Sequence, residues 1–96
     1  MLCPENIKQL EDYFRKEKIF DLLGIKRIGI FGSFARNEKF NDIDLLIDEE
    51  VKADTLIMFQ QKLEADIKIP VDVVISKYAE PIILHRAKRD LQYANR

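Results

Sequence analysis

Gly29-Ile30-Phe31-Gly32-Ser33-Phe34-Ala35-Arg36, followed closely by Asp42-Ile43-Asp44-Leu45-Leu46-Ile47, encodes a strand, a tight turn and a second strand. Ile28, Ile30 and Phe31 favour extended backbone, and Gly32-Ser33 interrupts the run, which predicts a strand over Ile25 to Phe31. Glycine at the exit removes the Cβ that would keep backbone and ligand apart. A helical turn beginning near Ser33 would aim free N–H groups and a hydroxyl at one spot, a natural seat for phosphate. Taken alone, the same dipeptide is an ordinary strand-ending turn.

The second segment, Asp42 to Asp48, alternates Ile43, Leu45 and Ile47 against Asp42, Asp44 and Leu46. Residues two apart on a strand share a face, with Cα atoms roughly 6–7 Å apart. Asp42 and Asp44 therefore point the same way, and their like charges raise each other's pKa unless a cation lies between them. Oxygen ligands beside a phosphate seat select Mg2+. The structural alternative is a solvated polar edge. A third carboxylate, Asp72, stands inside Val71-Asp72-Val73-Val74-Ile75, a predicted third strand. On the solvated face it needs no function. Beside the Asp42 strand it would complete a cluster able to hold two metal ions, which clamp the attacking and leaving oxygens of a displacement at phosphorus.

Outward from these strands, residues 5–18 have helical spacing through Ile7, Leu10 and Phe14, and Gly24 is placed to end the segment that follows. Residues 53–67 repeat helical spacing through Leu56, Met58, Phe59 and Leu63. Pro81 suits the first position of a helix, with Ile83, Ala87, Leu91 and Ala94 as its apolar stripe. The order helix, strand, strand, helix, strand, helix predicts an α/β or α+β fold with a small mixed sheet flanked by helices.

With 96 residues, the expectation is a single domain spanning 1–96. A net charge of −1 supplies no broad basic field, so phosphate contacts should be local and direct nucleic-acid binding is not expected. The one cysteine, Cys3, forms no internal disulfide, and neither a membrane-spanning run nor a secretory pattern occurs, which together predict a cytoplasmic protein. Cys3 has no base nearby in sequence, and His85 has no acidic or cysteine partner at zinc spacing, so His85 reads as structural. No Gly-x-x-x-x-Gly-Lys-Ser/Thr segment occurs, which disfavours a Walker-type ATPase.

The Gly29–Arg36 and Asp42–Ile47 segments, with Val71-Asp72-Val73-Val74, resemble the hallmark of the minimal nucleotidyltransferases, antitoxin-type members of the DNA polymerase beta superfamily. The resemblance covers residues 25 to 76. It implies a palm-like nucleotidyltransferase fold, with Gly32 and Ser33 on the triphosphate of ATP or another nucleoside triphosphate. It also implies Asp42, Asp44 and Asp72 as ligands of Mg2+, Asp72 in addition helping to deprotonate an acceptor hydroxyl. Arg36 follows the pattern too, contacting phosphate or an acidic partner surface, or standing as a solvated helix charge. The implied reaction is attack by a hydroxyl on the α-phosphorus with release of pyrophosphate.

Two departures fall in the turn and not on the carboxylates. Asn37 and Asn41 stand where relatives carry glycine and serine, and the Ser33–Asp42 connection is shorter by about two residues. Asparagine tolerates left-handed backbone, so Asn37 can replace a turn glycine. Relatives of this size are often encoded beside an HEPN-type toxin and attach AMP to it. The resemblance thus implies an antitoxin transferring AMP from ATP to a partner hydroxyl. The alternative is a binding module that neutralises its partner by contact alone.

Overall fold

The computed structural model describes residues 3–96. Its elements run α1 (Ile7–Lys16), α2 (Ile19–Leu23), β1 (Arg27–Phe31), α3 (Gly32–Ala35), β2 (Ile43–Ile47), α4 (Ala53–Ile67), β3 (Val71–Ile75), a 3-10 turn (Ser76–Tyr78), α5 (Pro81–Asp90) and β4 (Gln92–Asn95). The strands form one mixed sheet in the order β3-β2-β1-β4. β1 pairs antiparallel with β2 and β4, whereas β2 pairs parallel with β3 through the crossover helix α4. This is the expected α+β architecture.

Each face of the sheet has its own cover. Ile28, Ile30, Ile43, Leu45, Ile47 and Val71 point into a core with Leu10 and Phe14 of α1, Ile19 and Phe20 of α2, and Phe59, Leu63 and Ile67 of α4. Phe14 lies at the centre, with the Phe20 ring edge-on at 5.9 Å and the Phe59 ring at 6.2 Å. The opposite face is covered by α5, where Leu46 and Ala87 are buried outside the main core. A Cβ on Gly29 would stand 2.7 Å from Leu91 Cδ1 and 3.2 Å from Leu46 Cβ, so glycine lets α5 and its exit sit close to β1.

Local signals set the helix ends. Asn6 caps α1 by accepting a hydrogen bond from the Gln9 N–H at 2.9 Å. Gly24 closes α2 in left-handed conformation at φ 70°. The predicted helix over 5–18 ends at Lys16 because Lys18 turns left-handed, at φ 56°, and restarts the chain as α2. Met58 points outward, 58% exposed, while its neighbour Phe59 carries the burial.

The largest correction concerns the end of the chain. The stripe Ile83, Ala87, Leu91 and Ala94 is not one helix face: α5 stops at Asp90, Leu91 has ψ 125°, and Ala94 is buried in β4. Ile83 is 40% exposed. A fourth strand here pairs the outer edge of β1, which would otherwise leave a row of backbone groups open. Tertiary pairing outweighs a helical spacing of apolar residues. Further ties hold β4: Gln92 Nε2 donates to the Ala35 carbonyl at 3.1 Å, and the Asn95 N–H donates to Glu11 Oε2 at 2.7 Å.

Candidate active site

The alternation of β2 sends Ile43, Leu45 and Ile47 into the main core and leaves Asp44 on the α5 side. The parallel register sets Asp44 directly opposite Asp72. The strand order thus brings Asp72, 28 positions away in the chain, beside the Asp42-x-Asp44 pair. One carboxylate oxygen from each of Asp42, Asp44 and Asp72 lies within 4.8 Å of the others.

The turn after β1 forms the wall of this cluster. Phe31 pairs with Asp44 across the β1–β2 ladder, so the next residue, Gly32, meets the Asp44 side chain. Gly32 has φ 78°, and a Cβ there would run into Asp44 Oδ2. Ser33 follows as the second residue of α3, and Phe34 anchors that turn in the core, its ring edge-on to Phe40 at 4.7 Å. Asn37 adopts φ 61°, the left-handed conformation expected of it in place of glycine.

The electrostatics are those of crowded like charges. The Asp44 carboxyl is pushed up to about 6, first by partial burial, then by the charges of Asp42 and Asp72 and by closeness to the Asp72 carboxyl; Arg36 opposes the shift. Among the described residues, none of the three aspartates has a lysine or arginine at salt-bridge distance. Three carboxylates converging without a basic partner form an all-oxygen donor set that fits a hard divalent cation such as Mg2+.

Arg36 closes the other side of the turn. Its Nη1 donates to Asp90 Oδ2 at 2.6 Å, its Nε to Glu38 Oε1 at 3.1 Å, and its Nη2 reaches Ser33 Oγ at 3.4 Å. The ion pair with Asp90, on the last turn of α5, has no counterpart in the reading of the sequence. The available signal was an acid at a helix C-terminus, where it opposes the helix dipole and requires a cation. Among the described residues Cys3 and His85 stand in no such cluster, and Cys3 donates to the Pro4 carbonyl. A cleft of about 160 Å³ at the other end of β2 and β3, lined by Asp48, Glu49, Lys77 and Tyr78 among others, lacks this convergence.

The chain belongs to the polymerase beta nucleotidyltransferase family, which it matches over residues 8–92. It is a nucleotidyltransferase. Among its relatives, the protein adenylyltransferase MntA of Thermococcus cleftensis is 31% identical, over 97% of this chain and 97% of its own length. A putative protein adenylyltransferase of Methanocaldococcus jannaschii is 34% identical, over 93% of this chain and 98% of its own. Solved structures share the fold. A crystal structure of a toxin–antitoxin with AMP-PNP superposes with a TM-score of 0.61 at 23% identity, covering 82% of this chain and 71% of that one. A tri-AMPylated Shewanella oneidensis HEPN toxin in complex with MNT antitoxin gives 0.58 at 22% identity, covering 92% and 71%. No helix among the described residues is long and apolar enough to cross a membrane.

Proposed function

We propose that this chain transfers AMP from ATP to a hydroxyl of a partner protein, an HEPN toxin, and acts as the antitoxin of that pair. The observation that carries the reading is the convergence of Asp42, Asp44 and Asp72 beside the Gly32-Ser33 turn. Relatives named as protein adenylyltransferases, aligned over nearly the whole chain, support the choice of a protein acceptor.

In this reading Gly32 and Ser33 hold the triphosphate, Gly32 by admitting close backbone approach and Ser33 by its hydroxyl. Arg36, in reach of Ser33 Oγ, offers a guanidinium to the same phosphates. Asp42, Asp44 and Asp72 would hold Mg2+, which when bound supplies charge neutralisation at the reacting phosphate. Asp72 is exposed, which suits it to take the proton of the acceptor hydroxyl. The new bond joins that oxygen to the α-phosphorus, the bond from the α-phosphorus to the bridging oxygen breaks, and pyrophosphate leaves.

The test is the intact mass of the protein encoded beside this chain after incubation with the chain, ATP and Mg2+. The expected result is one or more added AMP groups, absent with Asp44→Ala. An unmodified partner that is nevertheless silenced in a stable complex would overturn transfer in favour of inhibition by contact.

A further inference from the structure

On α5, Arg86, Arg89 and Asp90 are spaced i, i+3 and i+4 and so share one helix face. With Arg36 they line a cleft of about 330 Å³. Ala87, fully buried, fixes α5 against the sheet and so fixes where these side chains start. The cleft holds three guanidinium groups against one carboxylate. Arg36 is already paired with Asp90 and Glu38, whereas neither Arg86 nor Arg89 has a carboxylate at salt-bridge distance among the described residues. Gathering cations this way is unfavourable unless an anion joins them. The cleft also opens beside the site already described, because Arg36 lines it and reaches Ser33 Oγ at 3.4 Å.

We propose that Arg86 and Arg89, together with Arg36, bind the β- and γ-phosphates of the nucleotide and then the pyrophosphate they become, with Asp90 as the internal anion displaced from Arg36. The proposal rests on the nucleotidyl-transfer reading and adds to it two residues of α5. Planar guanidinium groups suit bidentate phosphate contacts. Three of them lining one cleft, with Arg36 also within reach of Ser33 Oγ, supply the charge that a triphosphate requires and that the chain as a whole, at −1, lacks. A nucleic-acid backbone fits less well, since the cationic surface is one small cleft and not a stripe. Asp90 tunes the site: in the absence of phosphate it neutralises Arg36 and limits the repulsion among the three cations.

Titration calorimetry with Mg2+ tests this, using AMP-PNP, AMP and inorganic pyrophosphate as ligands. Arg86 and Arg89 are exposed, so the double variant Arg86→Ala/Arg89→Ala should fold as the parent does, which circular dichroism checks. The expected result is about tenfold weaker binding of AMP-PNP and of pyrophosphate, with AMP within about twofold. Asp90→Asn should shift AMP-PNP the other way, tightening it by freeing Arg36. Equal loss for AMP and AMP-PNP, or no loss for either, would overturn the proposal while leaving nucleotidyl transfer standing. Loss for free pyrophosphate alone would also overturn it, by making the cleft a product site only. A parent protein that binds no AMP-PNP would overturn the transfer reading, and this proposal with it.

Discussion

Gly32 and Asp44 occupy each other's space: any β-carbon on Gly32 would lie inside the van der Waals envelope of Asp44 Oδ2, and the glycine backbone is left-handed at φ 78°. The turn proposed to hold the triphosphate is therefore also the wall against which the central carboxylate rests. Gly32→Ala should fail twice over. Left-handed backbone costs a β-carbon-bearing residue about 1–2 kcal/mol, which at this chain length lowers Tm by about 4–8 °C per kcal/mol. The displaced carboxylate should cost transfer about a hundredfold, the scale expected of a misplacement near 1 Å. Thermal melts and initial rates check both, and wild-type rates at reduced stability would show that Asp44 tolerates the intrusion.

Asp44 itself should leave a signature in stability against pH. Its folded pKa of about 6 lies above the ordinary carboxylate value. The folded state therefore binds this proton more tightly than the unfolded state, and stability falls as pH rises toward 6, then levels. In metal-free buffer, Asp44→Asn should melt above the wild type at about pH 8 and converge with it below about pH 3, under both the unfolded and the folded pKa, where the carboxyl is protonated in both states. Because the group is only partly buried, the gap should be on the order of 1 kcal/mol, or about 4–8 °C. Mg2+ should raise the melting point of the wild type and not that of the variant. Parallel melting curves at both pH values would remove the like-charge account of this site.

Tyr13 anchors α1 to α4 by donating its hydroxyl hydrogen bond to Asp66 Oδ2 at 2.5 Å, while Lys62 bridges Asp66 and Glu17. The bond from Tyr13, and then Lys62, hold the Asp66 carboxyl below the usual carboxylate range. A lowered carboxylate pKa stabilises at neutral pH, and the contribution is lost as pH falls through that range. Tyr13→Phe should cost about 1 kcal/mol at neutral pH and less in acid, with transfer unaffected because the residue lies on the far side of the sheet. Denaturant titrations at both pH values provide the check.

Gly29 predicts a coupled pair. Gly29→Ala pushes a β-carbon toward Leu91 Cδ1 and toward Leu46 Cβ and its carbonyl oxygen, and should destabilise by about 1–3 kcal/mol. Leu91→Ala removes the nearest of these atoms. The double variant should then be less destabilised than the sum of the two single changes, which a double-mutant cycle measures. Strict additivity would mean that the clash with Leu46, and not with Leu91, sets the cost.

The strands and the carboxylates were legible because their signals are local. Asp42 and Asp44 declare a shared face through the period-2 alternation of β2, and Asn37 takes the left-handed angle its side chain tolerates. The break at Lys18 and the end of α5 were not legible. Leu91 and Ala94 continue the spacing of Ile83 and Ala87 closely enough that no local pattern separates helix from strand. What ends α5 is the open edge of β1, a partner some 65 positions away, which no window of neighbouring residues can represent.

By itself the sequence determined the parts of the candidate site: a glycine at the exit of β1, two carboxylates on one strand face, and a third in an apolar strand. Each depends on backbone sterics and side-chain alternation acting over a few residues. Tertiary structure alone decided that the third carboxylate joins the first two. That meeting requires β3 to lie parallel to β2 in the one register that sets Asp72 against Asp44. The register is held by burial of Ile43, Leu45, Ile47 and Val71 in one core, since a slip of one residue would turn that row toward α5 and the carboxylates into the interior. The pairing of Arg36 with Asp90 has the same origin, because only the packing of α5 through Ala87 brings the last turn of that helix to the turn that follows β1.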